Sequence, residues 1–103
     1  MNIISSVDDF AANASKGVCS IKFGATWCGP CKLMDKVFVK LDAEFDNINC
    51  FTVDIDDVPD LARQFNIQSI PTVVVLKDGV ELQRAVGVSL IEPLRKAFKD
   101  ALA

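Results

Sequence analysis

Apolar residues recur along this chain with two different periods, and each change of period marks the start of a new element. Residues 2–4 form a short strand. Ser6 then stands as an N-cap with Asp9 three residues on, and Val7, Phe10, Ala11 and Ala14 share one helical face. Cys19, Ile21 and Phe23 alternate with Ser20, Lys22 and Gly24, which predicts a strand apolar on one side and unusually polar on the other. From Cys31 the period lengthens, and Leu33, Met34, Val37, Phe38, Leu41 and Phe45 fall at helical spacing. A third strand follows, in which Phe51, Val53 and Ile55 alternate with Cys50, Thr52 and Asp54. Pro59 suits the first turn of a short helix carrying Leu61, Ala62 and Phe65, and Asn66 can take the left-handed conformation that stops it. The β-branched run 72–76, the Asp78-Gly79 pair and the run 80–86 predict a hairpin. After Gly87, Ser89 and Glu92 read as a capping box for a last helix with Leu90, Leu94, Phe98 and Leu102 as its apolar stripe and Pro93 near its start.

The resulting order, βαβαβαββα, has no linker, repeat or low-complexity segment. Strands alternating with helices imply parallel pairs with helices on both faces, and the hairpin adds an antiparallel part. The expectation is an α/β three-layer sandwich around a mixed sheet of five strands, flanked by four helices. With 103 residues, half of them hydrophobic and about a quarter charged, the chain suits one globular domain spanning 1–103. Its net charge of -3, with Lys and Arg scattered, argues against nucleic acid as a partner. No apolar run reaches the roughly 20 residues of a membrane span, and no secretory leader is recognisable, so a cytoplasmic location is expected.

The sequence contains no histidine, which removes the commonest general base and the commonest metal ligand. Its chemistry therefore rests on thiols, carboxylates, amines and backbone. Of the four cysteines, only Cys28 and Cys31 are close together, in the run Trp27-Cys28-Gly29-Pro30-Cys31-Lys32 where a strand ends and a helix begins. Cysteines at i and i+3 lie on one helical face, slightly too far apart for a disulfide until the helix start adjusts. Pro30 fits a first helical turn and Gly29 lets the backbone bend, so the bond forms and breaks without large movement. The free amides and positive dipole end of the helix favour a thiolate at Cys28, the expected solvent-accessible nucleophile, with Cys31 as a shielded resolving thiol. A zinc knuckle would need Cys19 and Cys50 as its other ligands. Alternation puts those two on opposite faces of neighbouring strands, where buried thiols are ordinary core residues, so no metal is expected.

The Trp27–Lys32 run closely resembles the active site of thioredoxins, and the resemblance continues in Ser69-Ile70-Pro71-Thr72 and Val86-Gly87, covering nearly the whole chain. It implies the thioredoxin-like form of the sandwich and a thiol-disulfide oxidoreductase that reduces protein disulfides through Cys28 and Cys31. No cofactor is implied beyond the redox-active disulfide. It further implies a cis bond before Pro71, an Ile70 backbone able to pair with an extended substrate, and a contact surface of Trp27, Gly29, Pro30, Ile70, Pro71 and Gly87. Partners would be disulfide-containing proteins and an NADPH-dependent flavoprotein reductase, with the chain acting as a monomer. Oxidases and isomerases of the wider superfamily usually place a histidine between their cysteines; Gly-Pro here points to a reductant. A binding module with incidental cysteines is the reading from another class of function, weighed against by the intact pair.

Two departures stand out. Where thioredoxins usually carry a buried aspartate, six residues before the first cysteine, and a lysine on the neighbouring strand, this chain has Lys22 and Thr52. Where a second tryptophan is often found it has Gly24, which is expected to loosen packing beneath the site. Lys22 points inward below the cysteines, and either Asp54 pairs with it or it snorkels out through the space left at Gly24. A lysine there would favour thiolate, so Lys22 and Asp54 join Gly29 and Pro30 as residues that tune the redox pair.

Overall fold

The computed structural model describes residues 1–103. Its elements follow the order read from the periods: β1 (Asn2–Ile3), α1 (Val7–Asn13), β2 (Val18–Gly24), α2 (Gly29–Glu44), β3 (Asn49–Asp54), α3 (Pro59–Gln64), β4 (Thr72–Lys77), β5 (Val80–Val86) and α4 (Ile91–Leu102). The five strands form one mixed sheet in the order β1-β3-β2-β4-β5. On one face Ile21, Phe23, Val53, Val74 and Leu76 pack with Leu61 of α3, and Phe10 of α1 lies against them. On the other, Cys50, Val73 and Val75 pack with Met34, Phe38 and Leu41 of α2 and Leu94 and Phe98 of α4. The three-layer sandwich thus has α1 and α3 on one side and α2 and α4 on the other. No helix is long and apolar enough to cross a membrane.

Local chemistry sets most boundaries. Ser6 caps α1, its hydroxyl accepting from the Asp9 amide at 2.9 Å, and Asp9 in turn accepts from the Ser5 amide at 2.8 Å. Asn66 ends the α3 segment with φ 52°. Asp78 and Gly79 have φ of 51° and 81°, the left-handed pair that lets a two-residue turn follow the twist of β4 and β5.

Four expectations change. Ala11 and Leu33 fall on the solvent side of their helices. β4 runs antiparallel to β2, so the antiparallel part extends beyond the hairpin expected to supply it. The chain leaves β3 at Asp54, opposite Gly24, and enters β4 at Thr72, opposite Phe23, so both points lie at the C-terminal end of β2. At six residues α3 spans only about 9 Å, less than half the length of a six-residue strand, and does not carry the chain back to the opposite end of β2. Finally, the Ser89-Glu92 box does not form. The N-cap of α4 is Leu90, 79% exposed and with no side-chain cap bond, while the Ser89 hydroxyl donates to the Leu90 carbonyl. Pro93 supplies the reason. A helix capped by Ser89 would need a Pro93 N–H for its first internal hydrogen bond, whereas starting one residue later places Pro93 where that donor is not required.

Cys19 and Cys50 are free, buried and in different layers of the core. Burial raises the Cys19 thiol above its ordinary range, with Asp78 adding to it; burial, reinforced by Asp42, pushes Cys50 up to about 12. The folded chain therefore holds the Cys50 proton more tightly than the unfolded chain does. That contribution is complete below the ordinary value of about 9 and is lost as pH rises from there toward 12.

A Cys19→Ala, Cys50→Ala double variant is expected to keep its disulfide-reducing activity and to lose about 1 kcal/mol per site in urea unfolding. Its stability should also fall less steeply than the wild type's above pH about 9; an inactive but folded variant would restore a chemical role to these thiols. Leu90→Asp should supply the missing cap of α4 and raise stability by about 1 kcal/mol, read as a higher urea midpoint at unchanged slope.

Candidate active site

The central strand β2 delivers the chain to the site. After Gly24 a short turn, closed by a 3.2 Å hydrogen bond from the Cys28 amide to the Ala25 carbonyl, leads to Cys28 at the N-cap of α2. Cys28 keeps extended backbone angles, φ -91° and ψ 109°, with Gly29 and Pro30 as the first two helical residues. That non-helical cap is the adjustment the i, i+3 spacing needed. Cys28 and Cys31 are joined by a disulfide with a Cα–Cα distance of 5.3 Å. The Cys28 Sγ also accepts a hydrogen bond from the Cys31 amide at 3.2 Å, so one of the unpaired N–H groups at the helix start points at this sulfur.

The contact residues converge by register. Thr72 pairs with both Phe23 and Val86, so Pro71 and Gly87 lie level with Gly24, the last residue of β2, and the Gly87 amide donates to the Pro71 carbonyl at 2.8 Å. The Ile70-Pro71 bond is cis, as the resemblance implied. Trp27 is 67% exposed, which rules out a core aromatic; its indole N–H donates to Asp56 at 2.7 Å. Asp56 is held in turn by its amide donating to Asp54 at 2.8 Å. Gly29 and Pro30 are exposed and Ile70 and Gly87 half-buried, whereas Pro71, expected on the contact surface, has its side chain buried.

Three expectations are corrected here. In the disulfide form Cys28 is buried, 5% exposed against 2% for Cys31, because its sulfur is turned onto Cys31 and the Cys31 amide. Lys22 does point inward, in register with Thr52, but it neither pairs with Asp54 nor reaches open solvent. Its ammonium forms an ion pair with Asp35 of α2, and the side chain is 8% exposed. Asp54 spends its carboxylate on the Asp56 amide instead. Nor is Gly24 a loose spot: a Cβ there would come within 3.1 Å of the Cys31 sulfur, so Cys31 packs directly on the Gly24 backbone. The open space lies to one side, in a groove of about 770 Å³ that Lys22, Lys32, Asp35 and Asp54 help to line.

Asp35 and Asp56 were missed by sequence reasoning. Asp35 carried a usable signal, since it stands four residues after Cys31 and hence on the same helical face. Asp56 carried none, because its link to Trp27 spans 29 residues.

Comparisons with known proteins bear on the same residues. The family model described as Thioredoxin matches residues 3–100. Thioredoxin of Chlamydia trachomatis is 41% identical over 95 residues, covering 88% of this chain and 93% of that protein. Thioredoxin of Bacillus subtilis is 38% identical over 104 residues, covering 99% and 100%. The crystal structure of thioredoxin from Malassezia sympodialis superposes with a TM-score of 0.90 at 33% identity, over 99% of this chain and 93% of that one. Such proteins act on disulfide-bearing substrates and have a thioredoxin reductase as their general kind of partner. With a redox disulfide held at the cap of α2 on this sheet, the chain belongs to the thioredoxin family and is a thiol-disulfide oxidoreductase, a protein-disulfide reductase working by dithiol-disulfide exchange through Cys28 and Cys31.

Proposed function

We propose that Cys28 is the attacking thiol and Cys31 the resolving thiol of this reductase. The observation that carries the assignment is the hydrogen bond from the Cys31 amide to the Cys28 sulfur, since an N–H donor at a helix start stabilises negative charge on that sulfur in particular. The reduced Cys28 thiolate attacks one sulfur of a target disulfide, and the target's other sulfur leaves as a thiol. The Cys31 thiolate then attacks Cys28, closing the Cys28–Cys31 bond and releasing the second target thiol. Two electrons have passed from the dithiol to the target. An NADPH-dependent flavoprotein reductase returns them, and the chain serves as a monomeric cytoplasmic electron carrier, with residues 1–103 as one redox domain.

The docking surface in this reading comprises Trp27, Ile70, Pro71 and Gly87, with Gly29 and Pro30 at its centre. The exposure of Trp27 and the apolar, exposed Val86, Val88 and Leu90 nearby in sequence to Gly87 support it. Ile70 lies outside the helices and strands, and none of the turn or loop hydrogen bonds uses its backbone N–H or C=O, which leaves both for an extended substrate.

Alkylation of the reduced protein is expected to label Cys28 before Cys31, Cys28→Ser to abolish reduction of a protein disulfide, and Cys31→Ser to accumulate a mixed disulfide on Cys28. Faster labelling of Cys31 would reverse the roles. Trp27→Ala should raise KM for a protein disulfide about tenfold while kcat stays within about twofold. Equal loss on a small aromatic disulfide would show that Trp27 acts on the cysteines and not on the substrate.

A further inference from the structure

Lys22 is a buried charge that the exchange reaction, as described so far, does not use. Its Nζ lies 3.5 Å from the position a Gly24 Cβ would take, and the Cys31 Sγ lies 3.1 Å from that same point. Ammonium and sulfur are therefore separated by no more than those two distances together, with no side chain on Gly24 to come between them. The partner carboxylate is placed differently. Asp35 side-chain exposure is 47%, against 8% for Lys22, so the cation sits inside, where charge is weakly screened, and the anion at the rim, where water screens it.

From this asymmetry we infer that Lys22, fixed by Asp35, is a positioning residue for the resolving step, holding a positive charge beside the Cys31 sulfur where its thiolate must form. The inference rests on Cys31 being the resolving thiol. Before it can attack the mixed disulfide, Cys31 loses its proton to solvent. An electron pair of the Cys31 thiolate then forms the new S–S bond to Cys28, and the target sulfur leaves with the electrons of the broken bond and takes up a proton. An ammonium close by favours the anionic form of Cys31 without itself taking part in bond making. The other charges facing this spot are Lys32 of α2, Asp54 of β3, Asp57 of the turn after it and the α-amino group of Met1, which line the same groove; the last is paired with Asp42 at 2.9 Å. Val73 of β4 and Met34 of α2, buried on the same side of the sheet, bring no charge.

Reduced protein mixed with excess 5,5′-dithiobis(2-nitrobenzoate) releases one coloured thiolate on attack by Cys28 and a second on resolution by Cys31, the second at a rate independent of reagent concentration. Lys22→Met keeps the length of the side chain and removes its charge. It should leave the first phase within about twofold, slow the second about tenfold at neutral pH and move the midpoint of its pH profile up by about one unit. Lys22→Arg should restore the second phase. Asp35→Asn, at a half-exposed position that tolerates substitution, should move that midpoint down, opposite to Lys22→Met. A second phase unchanged in Lys22→Met, or midpoints displaced the same way in Lys22→Met and Asp35→Asn, would reduce the pair to a structural tie and overturn the inference. A first phase that persists at the parent rate in Cys28→Ser would instead overturn the assignment of the two cysteines.

Discussion

The hydrogen bond from the Cys31 amide to the Cys28 sulfur is the interaction on which the rest of the site depends, because it makes one residue both the cap of a helix and half of the redox pair. A cap must keep extended backbone angles, and those angles bring two cysteines three apart to a Cα separation of 5.3 Å. Capping must also supply an acceptor for a helix-start N–H, and a sulfur in that place is favoured as an anion. Geometry for the disulfide and stabilisation of the thiolate thus come from a single backbone arrangement. Gly29 and Pro30 serve it by filling the first two helical positions, where neither a side chain nor an N–H is needed.

That arrangement needs a rigid base, and the central position of β2 provides it. Flanked by β3 and β4, the strand has its apolar side buried against α1 and α3, and it ends at Gly24 directly under Cys31. Its other side carries Ser20, Lys22 and Gly24 toward α2. A charge on a central strand must find a partner within reach or cost several kcal/mol. Asp35 is that partner, and the face of α2 that supplies it is also the face that supplies Cys31. The resulting ion pair links the strand beneath the site to the helix that bears it, with the cation on the inner side.

The remaining two cysteines make a useful contrast. All four cysteines are buried in this structure, yet only one pair sits at a helix start with a donor aimed at sulfur. Cys19 and Cys50 lie in strands among apolar side chains, and burial holds them protonated. Reactivity in this chain follows local electrostatics and geometry, not exposure.

Much of this was legible in the sequence. Period two against period 3.6 located the nine elements, the Asp78-Gly79 pair fixed the hairpin, and alternation placed Cys19 and Cys50 on opposite faces and turned Lys22 inward. The start of α4 was legible too, had the missing N–H of Pro93 been weighed against the Ser89-Glu92 box. All of these depend on residues close together in the chain, where backbone geometry alone decides which way a side chain points. The tertiary structure alone decided three other matters. These are the direction of β4, the choice of Asp35 over Asp54 for Lys22, and the anchoring of Trp27 by Asp56. Each depends on the distance between elements far apart in sequence, and periodicity assigns a residue to a face without saying which charge on the facing element lies within reach.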